Sequence, residues 1–231
     1  MGRALSRSTP FAFGSPVDAV IVDKKGNKMI RNLKVLGLAP VAVLAMSAMV
    51  ASAASASAFT ATKGATITAK DTGKIKFTVT GQEVTCEEAT FTGTAPEASF
   101  TSITVSAVYN SCKTAITNAT VTGFGAGECD FVLYANGTAD LACAAGKDVT
   151  VDAATCVVHI PGQTGLGTLT YTNNGGTVNI HINVTKITGT HTDGFLCPFG
   201  SSGHNAEGVL ESPAAEPLTA TASAGTLTWD A

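Results

Sequence analysis

Past Arg31 the chain contains no arginine, and from Phe59 onward its seven lysines are scattered singly among 15 acidic residues. That portion carries a formal charge of −8 and offers no basic stripe to neutralise phosphates, so nucleic acid and anionic lipid are poor partners for it. Aromatic residues are scarce, at 6% of the chain with a single tryptophan, Trp229, which leaves little material for the ring platforms that carbohydrate-binding modules use. None of the cysteine spacings is a Cys-x-x-Cys pair, which argues against a zinc centre. No amphipathic helix of useful length is visible, and the apolar run Val35 to Val50, interrupted by Pro40 and Ser47, is shorter than the ~20 residues of a spanning helix.

That short run is instead the centre of an export signal. Met29-Ile30-Arg31-Asn32-Leu33-Lys34 is a basic leader, and Ala51-Ser52-Ala53 with its repeats is a small-residue cleavage region. Met29 is therefore expected to be the true start. Residues 1–28 then read as a mis-assigned or disordered leader, 29–58 as the signal peptide region and 59–231 as a single β domain. The first cysteine, Cys86, lies far past any cleavage site, so no lipid anchor is expected and the product should be secreted, meeting a membrane only during export.

All six cysteines, Cys86, Cys112, Cys129, Cys143, Cys156 and Cys197, fall in the exported part, where oxidising conditions favour disulfides. Composition cannot choose their connectivity, but one hairpin constrains it. If Ala135-Asn136-Gly137 is a three-residue loop with Gly137 left-handed, Cys129 lies directly opposite Cys143, whereas a two-residue Asn136-Gly137 turn places Cys143 opposite Asp130. With the first register, the arrangement without nesting joins Cys86 to Cys112 and Cys156 to Cys197.

Apolar and polar residues alternate with period two through most of the exported part. Ile75, Phe77 and Val79 form one buried face, Ile103, Val105, Ala107 and Tyr109 another, and Val178, Ile180, Ile182 and Val184 a third. Turn signals at Asp71-Thr72-Gly73, Asn136-Gly137, Ala145-Gly146, Pro161-Gly162 and Asn174-Gly175-Gly176 separate these runs. The fold class is all-β, an antiparallel β-sandwich or partly open barrel held by disulfides. Cys129 to Cys143 and Cys156 to Thr172 read as two similar hairpins, and Ser212 to Pro217 as the best linker candidate, after which the strand-like tail is expected to complete the same sheet.

Val84-Thr85-Cys86-Glu87-Glu88-Ala89-Thr90-Phe91, Gln163-Thr164-Gly165-Leu166-Gly167 and Asp193-Gly194-Phe195-Leu196-Cys197-Pro198 resemble segments of a family of secreted, β-rich, six-cysteine proteins from high-GC Gram-positive bacteria. The resemblance covers most of the exported part. It implies export and β-structure, and the family has no assigned activity to carry over.

Residues with chemical potential are few. His159 and His181 fall on polar faces of their strands and would share a metal only if those strands were neighbours, while His191 and His204 read as loop residues. Gly200-Ser201-Ser202-Gly203-His204 places a serine near a histidine but departs from the nucleophile elbow. Glu87 with Glu88, and Asp148 with Asp152, are carboxylate pairs of the kind a glycosidase uses, although adjacent strand residues point to opposite faces. Phe77, Phe91, Tyr109 and Phe131 belong to the core. The sequence assigns no catalytic residue, cofactor or metal. Its expectation is a secreted, non-catalytic protein that binds an extracellular ligand or envelope component or serves a structural role there. The alternatives are a secreted hydrolase, or a small-molecule carrier with a pocket between sheets.

Overall fold

The computed structural model describes residues 56–71, 73–79, 82–154, 156–192, 197, 205–213 and 216–231. The leader, nearly all of the export signal, and the serine-rich stretch ending in His204 lie outside the described residues. Every regular element described is a strand. In chain order these are β1 (Ala58–Thr60), β2 (Thr66–Lys70), β3 (Ile75–Val79), β4 (Gln82–Thr94), β5 (Ser99–Phe100), β6 (Ser102–Lys113), β7 (Asn118–Thr122), β8 (Cys129–Tyr134) and β9 (Ala139–Cys143). There follow β10 (Asp148–Ala153), β11 (Cys156–Pro161), β12 (Gln163–Leu166), β13 (Thr168–Asn174), β14 (Thr177–Thr192), β15 (Asn205–Glu211), β16 (Leu218–Ala222) and β17 (Thr228–Asp230). The fold is all-β and antiparallel: a large 14-stranded sheet and a small sheet ordered β17-β1-β5.

Three long strands organise the large sheet. β4, β6 and β14 each run far enough to take one set of partners along one half and another set along the other. In the first half, β6-β4-β3-β15-β14-β11-β10-β7 returns to β6, a closed ring of hydrogen-bonded strands. In the second, β12-β9-β8-β6-β4-β2-β16-β14-β13 closes through the chain itself, since β12 runs into β13 at Gly167. Closure leaves few free strand edges, the usual hazard of a β-rich chain.

A strand this long cannot hold one face inward without correction, because the sheet twists along its length. β14 solves this with a bulge. Val178, Ile180, Ile182 and Val184 point inward, Lys186 takes a φ of 63°, and Ile187 and His191 then point inward from odd positions. The same change occurs where β4 pairs β6: Cys86 and Cys112 are buried, Glu87, Glu88, Asn110 and Ser111 are all exposed, and Ala89 and Tyr109 are buried again. Ser111 carries the strain with a φ of 52°. Strict alternation, which puts Glu87 and Glu88 on opposite faces, fails here for that reason.

The interior is one apolar core. Phe77, Phe91, Phe124 and Phe131 pack around or beside Tyr109, with centroids 4.9 Å apart for Phe77 and Tyr109. Over the second ring the small sheet lies as a cap, burying Phe59 and Phe100 against each other and Phe59 edge-on against Tyr171. Disulfides join Cys86 to Cys112, Cys129 to Cys143 and Cys156 to Cys197. The β8–β9 hairpin turns through Ala135–Gly137 with Gly137 at φ 87°, and Cys129 faces Cys143 across it.

Three readings change. Cys156 to Thr172 is not a hairpin: β11 pairs with β10 and β14, and β12 crosses to β9. Ser212 is not linker but buried, its hydroxyl accepting from the Ile182 N–H at 3.0 Å. The tail does not complete one sheet, since β16 enters the large sheet and β17 the cap.

Candidate functional site

Of the histidines, His191 is buried on β14 rather than set in a loop. His159 faces outward on β11, half-buried, with Nδ1 3.0 Å from Asp148 Oδ2 on β10. A carboxylate in that position fixes the imidazole's orientation, as the orienting member of a nucleophile-activating relay does. The hydroxyl directly across from it, on Thr150, is instead hydrogen-bonded to Thr122 at 2.7 Å. His181 sits on the other half of β14, opposite Thr170. His159 pairs with Thr190, nine residues further along that strand, so the two imidazoles are separated by about 30 Å and do not share a metal.

His181 belongs to an open depression of about 640 Å³ with Lys76, Asn183 and Glu211. Lys76 is held by Glu83 at 3.0 Å, and its hydrogen bond, with a second from Thr85, keeps the Glu83 carboxyl below the ordinary range. Glu87 is paired with Lys113 at 3.4 Å and Glu88 with Asn110 at 3.4 Å, while Asp148 is occupied by His159 and Asp152 is exposed two positions beyond Thr150. None of these carboxylates faces a second one across a cleft in the pairings described. Among the described residues no three or more His, Cys, Asp or Glu side chains gather into a metal-holding group.

Two features of the outer surface are more distinctive. The first follows from the strand register. Thr221, Thr68, Thr92 and Ser106 lie side by side across β16, β2, β4 and β6, and Thr66 lies beside Thr94 in the next row. Adjacent strands are about 4.8 Å apart and same-face residues about 6.7 Å apart, so the rows form a lattice of hydroxyls. Where β6 continues to β8 the lattice dips into a groove of about 520 Å³ lined by Thr92, Thr94, Ser102, Thr104, Ser106 and Asp130. One carboxylate oxygen of Asp130 is buried there with no hydrogen-bond partner among the described residues.

The second is a cleft of about 360 Å³ between the β8–β9 turn, the outer edge of β13 and the cap. Trp229 forms one wall. Its backbone N–H donates to Asn173 Oδ1 and its carbonyl accepts from Asn173 Nδ2, both at 2.8 Å, while its indole N–H donates to the Ala135 carbonyl at 2.9 Å. Asn136, Thr170 and Ser57 supply the polar lining. Gly137 is required at the turn, because a Cβ there would lie 2.6 Å from the Leu169 carbonyl oxygen.

Inside, beneath the cap, an apolar cavity of about 40 Å³ lies among Phe59, Phe100, Tyr171, Ile180 and Leu218. That is near the volume of one water molecule and far below the roughly 300–1,000 Å³ of small-molecule sites. Tyr171 spends its hydroxyl on the Tyr134 carbonyl at 3.0 Å, and burial drives its pKa upward.

No protein-family model matches the chain, no curated protein matches it and no solved structure matches it. The hydroxyl rows are foreshadowed by alternating threonines in β2 and β4 and by Ser102, Thr104 and Ser106 in β6. The Trp229 cleft had no such signal, since its walls come from segments some ninety residues apart, as Trp229 and Ala135 are.

Proposed function

We propose that the protein is secreted and acts without catalysis, binding a polymer or ligand of the cell exterior or envelope through its outer β-surface. Export is supported by the signal at Met29 and by three disulfides, which persist in oxidising compartments. The observation that carries the binding reading is the hydroxyl-lined groove over β4, β6 and β8. Hydroxyls both donate and accept, so a fixed row of them suits an uncharged, polyhydroxylated surface. The closed, disulfide-tied sheet beneath holds them in place before the ligand arrives, which lowers the entropy lost on binding.

The test is retention of the purified oxidised protein on isolated cell-wall polysaccharide and peptidoglycan, compared with Thr92→Val/Thr104→Val. Valine keeps shape and strand preference while removing two hydroxyls. At about 1 kcal/mol per lost hydrogen bond, the double variant should bind roughly 30-fold more weakly. Retention that is absent, or identical in the variant, overturns this assignment. A hydrolase reading has the His159–Asp148 pair in its favour, and it requires product release that His159→Ala abolishes.

A further inference from the structure

We infer that the Trp229 cleft is a subsite for a single neutral pyranose ring, a conclusion that rests on the binding reading above but not on the hydroxyl groove. Trp229 is the only tryptophan of the chain, half-buried, and held by three hydrogen bonds that use its backbone N–H, its carbonyl and its indole N–H. Its ring is also packed against Tyr171, with centroids 5.7 Å apart. With those polar groups occupied by the protein, the ring offers a ligand its apolar surface. The clamp also fixes the ring's orientation, so no side-chain freedom remains to be lost on binding.

The rest of the lining selects the ligand. Among the described residues no charged side chain lines the cleft, which disfavours phosphates, amines and acidic polymers. Thr170 is exposed on β13 and supplies a hydroxyl that stays with the exported product wherever the signal is cut. Asn136 commits its Oδ1 to the Thr138 N–H and hydroxyl, at 3.1 and 2.8 Å, so its amide NH₂ is the group left to donate. An apolar wall with a rim of neutral donors and acceptors complements a molecule with one apolar face and a polar edge. A pyranose has that form: axial C–H groups make a face and equatorial hydroxyls make the rim. A volume of about 360 Å³ admits a ring and part of its neighbour, as in a chain threading past the turn.

Because Trp229 is the single tryptophan, fluorescence excited selectively at tryptophan reports this site alone. The oxidised protein is titrated with tetrasaccharides of β-1,4-linked N-acetylglucosamine and of β-1,4-linked glucose, with tetralysine and polyglutamate as charged controls. The expected result is a saturable emission change with at least one tetrasaccharide and none with the charged probes. Thr170→Val, which breaks no side-chain hydrogen bond among the described residues, should weaken that binding about 5-fold. Trp229→Phe should weaken it at least as much by calorimetry, with circular dichroism showing that the fold is retained. Loss of fold in Trp229→Phe leaves Thr170→Val to decide. No emission change with either sugar, or equal affinity in Thr170→Val, overturns the inference. Wall-polymer retention that depends on Thr92 and Thr104 while Trp229 stays silent overturns it too, and leaves the binding reading standing.

Discussion

Gly165 and Gly167 flank Leu166 at the place where the chain leaves β9 and joins β14, and substituting each by alanine separates two costs that usually come together. Both have positive φ, at 68° and 47°. A Cβ on Gly165 meets no atom within 4 Å, whereas one on Gly167 would lie 2.3 Å from Val184 Cα, 2.4 Å from the Asn183 carbonyl oxygen and 2.5 Å from the Thr185 nitrogen. Those are backbone atoms in the middle of the longest strand, so they cannot swing aside as a side-chain tip can. Gly165→Ala should therefore cost only the left-handed penalty, about 1–2 kcal/mol. Gly167→Ala adds an overpacking cost at the upper end of the usual range, about 2–3 kcal/mol, for a total near 3–5 kcal/mol. At roughly 2–4 °C per kcal/mol, the melting temperature should fall by some 2–8 °C in the first variant and 6–20 °C in the second. Thermal and urea unfolding of the oxidised proteins measure both. Equal destabilisation by the two substitutions would mean that β13 does not press against β14 as described, and the closure of the second ring would be refuted.

The disulfides should differ in worth by loop length: Cys129→Ser/Cys143→Ser, with a sequence separation of 14, is expected to cost about 3 kcal/mol, and Cys156→Ser/Cys197→Ser, with a separation of 41, about 4 kcal/mol. Peptide mapping without reduction checks the pairs, and a Cys129 to Cys156 peptide would contradict them. Tyr109, Tyr134 and Tyr171, all the tyrosines of the chain, have raised pKa values, the first and third through burial and Tyr134 chiefly through its hydrogen bond to Asp140. A folded pKa above the unfolded value near 10 means stability is intact below about pH 10 and is lost as pH rises beyond it. Phenolate absorbance from Tyr109 and Tyr171 should appear together with unfolding, and its full development near pH 10 with circular dichroism unchanged would refute their burial. His159→Ala removes a partly exposed pair and should change stability by no more than about 1 kcal/mol without altering retention on wall polymer. N-terminal sequencing of secreted material should find a start between Ala54 and Phe59, and material still carrying residues 1–28 would contradict the assignment of Met29.

Much of this fold is written locally. The period-two runs around Phe77, Val105 and Ile180 reveal strand faces because burial on one side and water on the other impose that period wherever the sheet is regular. The β8–β9 register follows from one loop length and one glycine. What local pattern cannot carry is the compensation for twist: Glu87 and Glu88 sit together on the surface where β4 runs opposite the left-handed Ser111 of β6, and His191 turns inward because a bulge near Lys186 changes the parity of β14. Nor does it reveal where a strand goes after a turn, so the chain from Cys156 to Thr172 reads as a hairpin while its halves pair with β10, β14 and β9. The candidate sites divide the same way. Threonines alternating along β2 and β4 announce a hydroxyl face, whereas the Trp229 cleft exists only once the C-terminal strand has met a turn far upstream.

Turnover separates binding from catalysis most directly. The oxidised protein is incubated with isolated cell-wall polysaccharide while bound protein and newly formed reducing ends are followed in the same sample. A non-catalytic binder gives saturable, stoichiometric retention with no fragments released over many times the binding half-time. Continuous release of fragments, in excess of the protein present and abolished by His159→Ala, would contradict it.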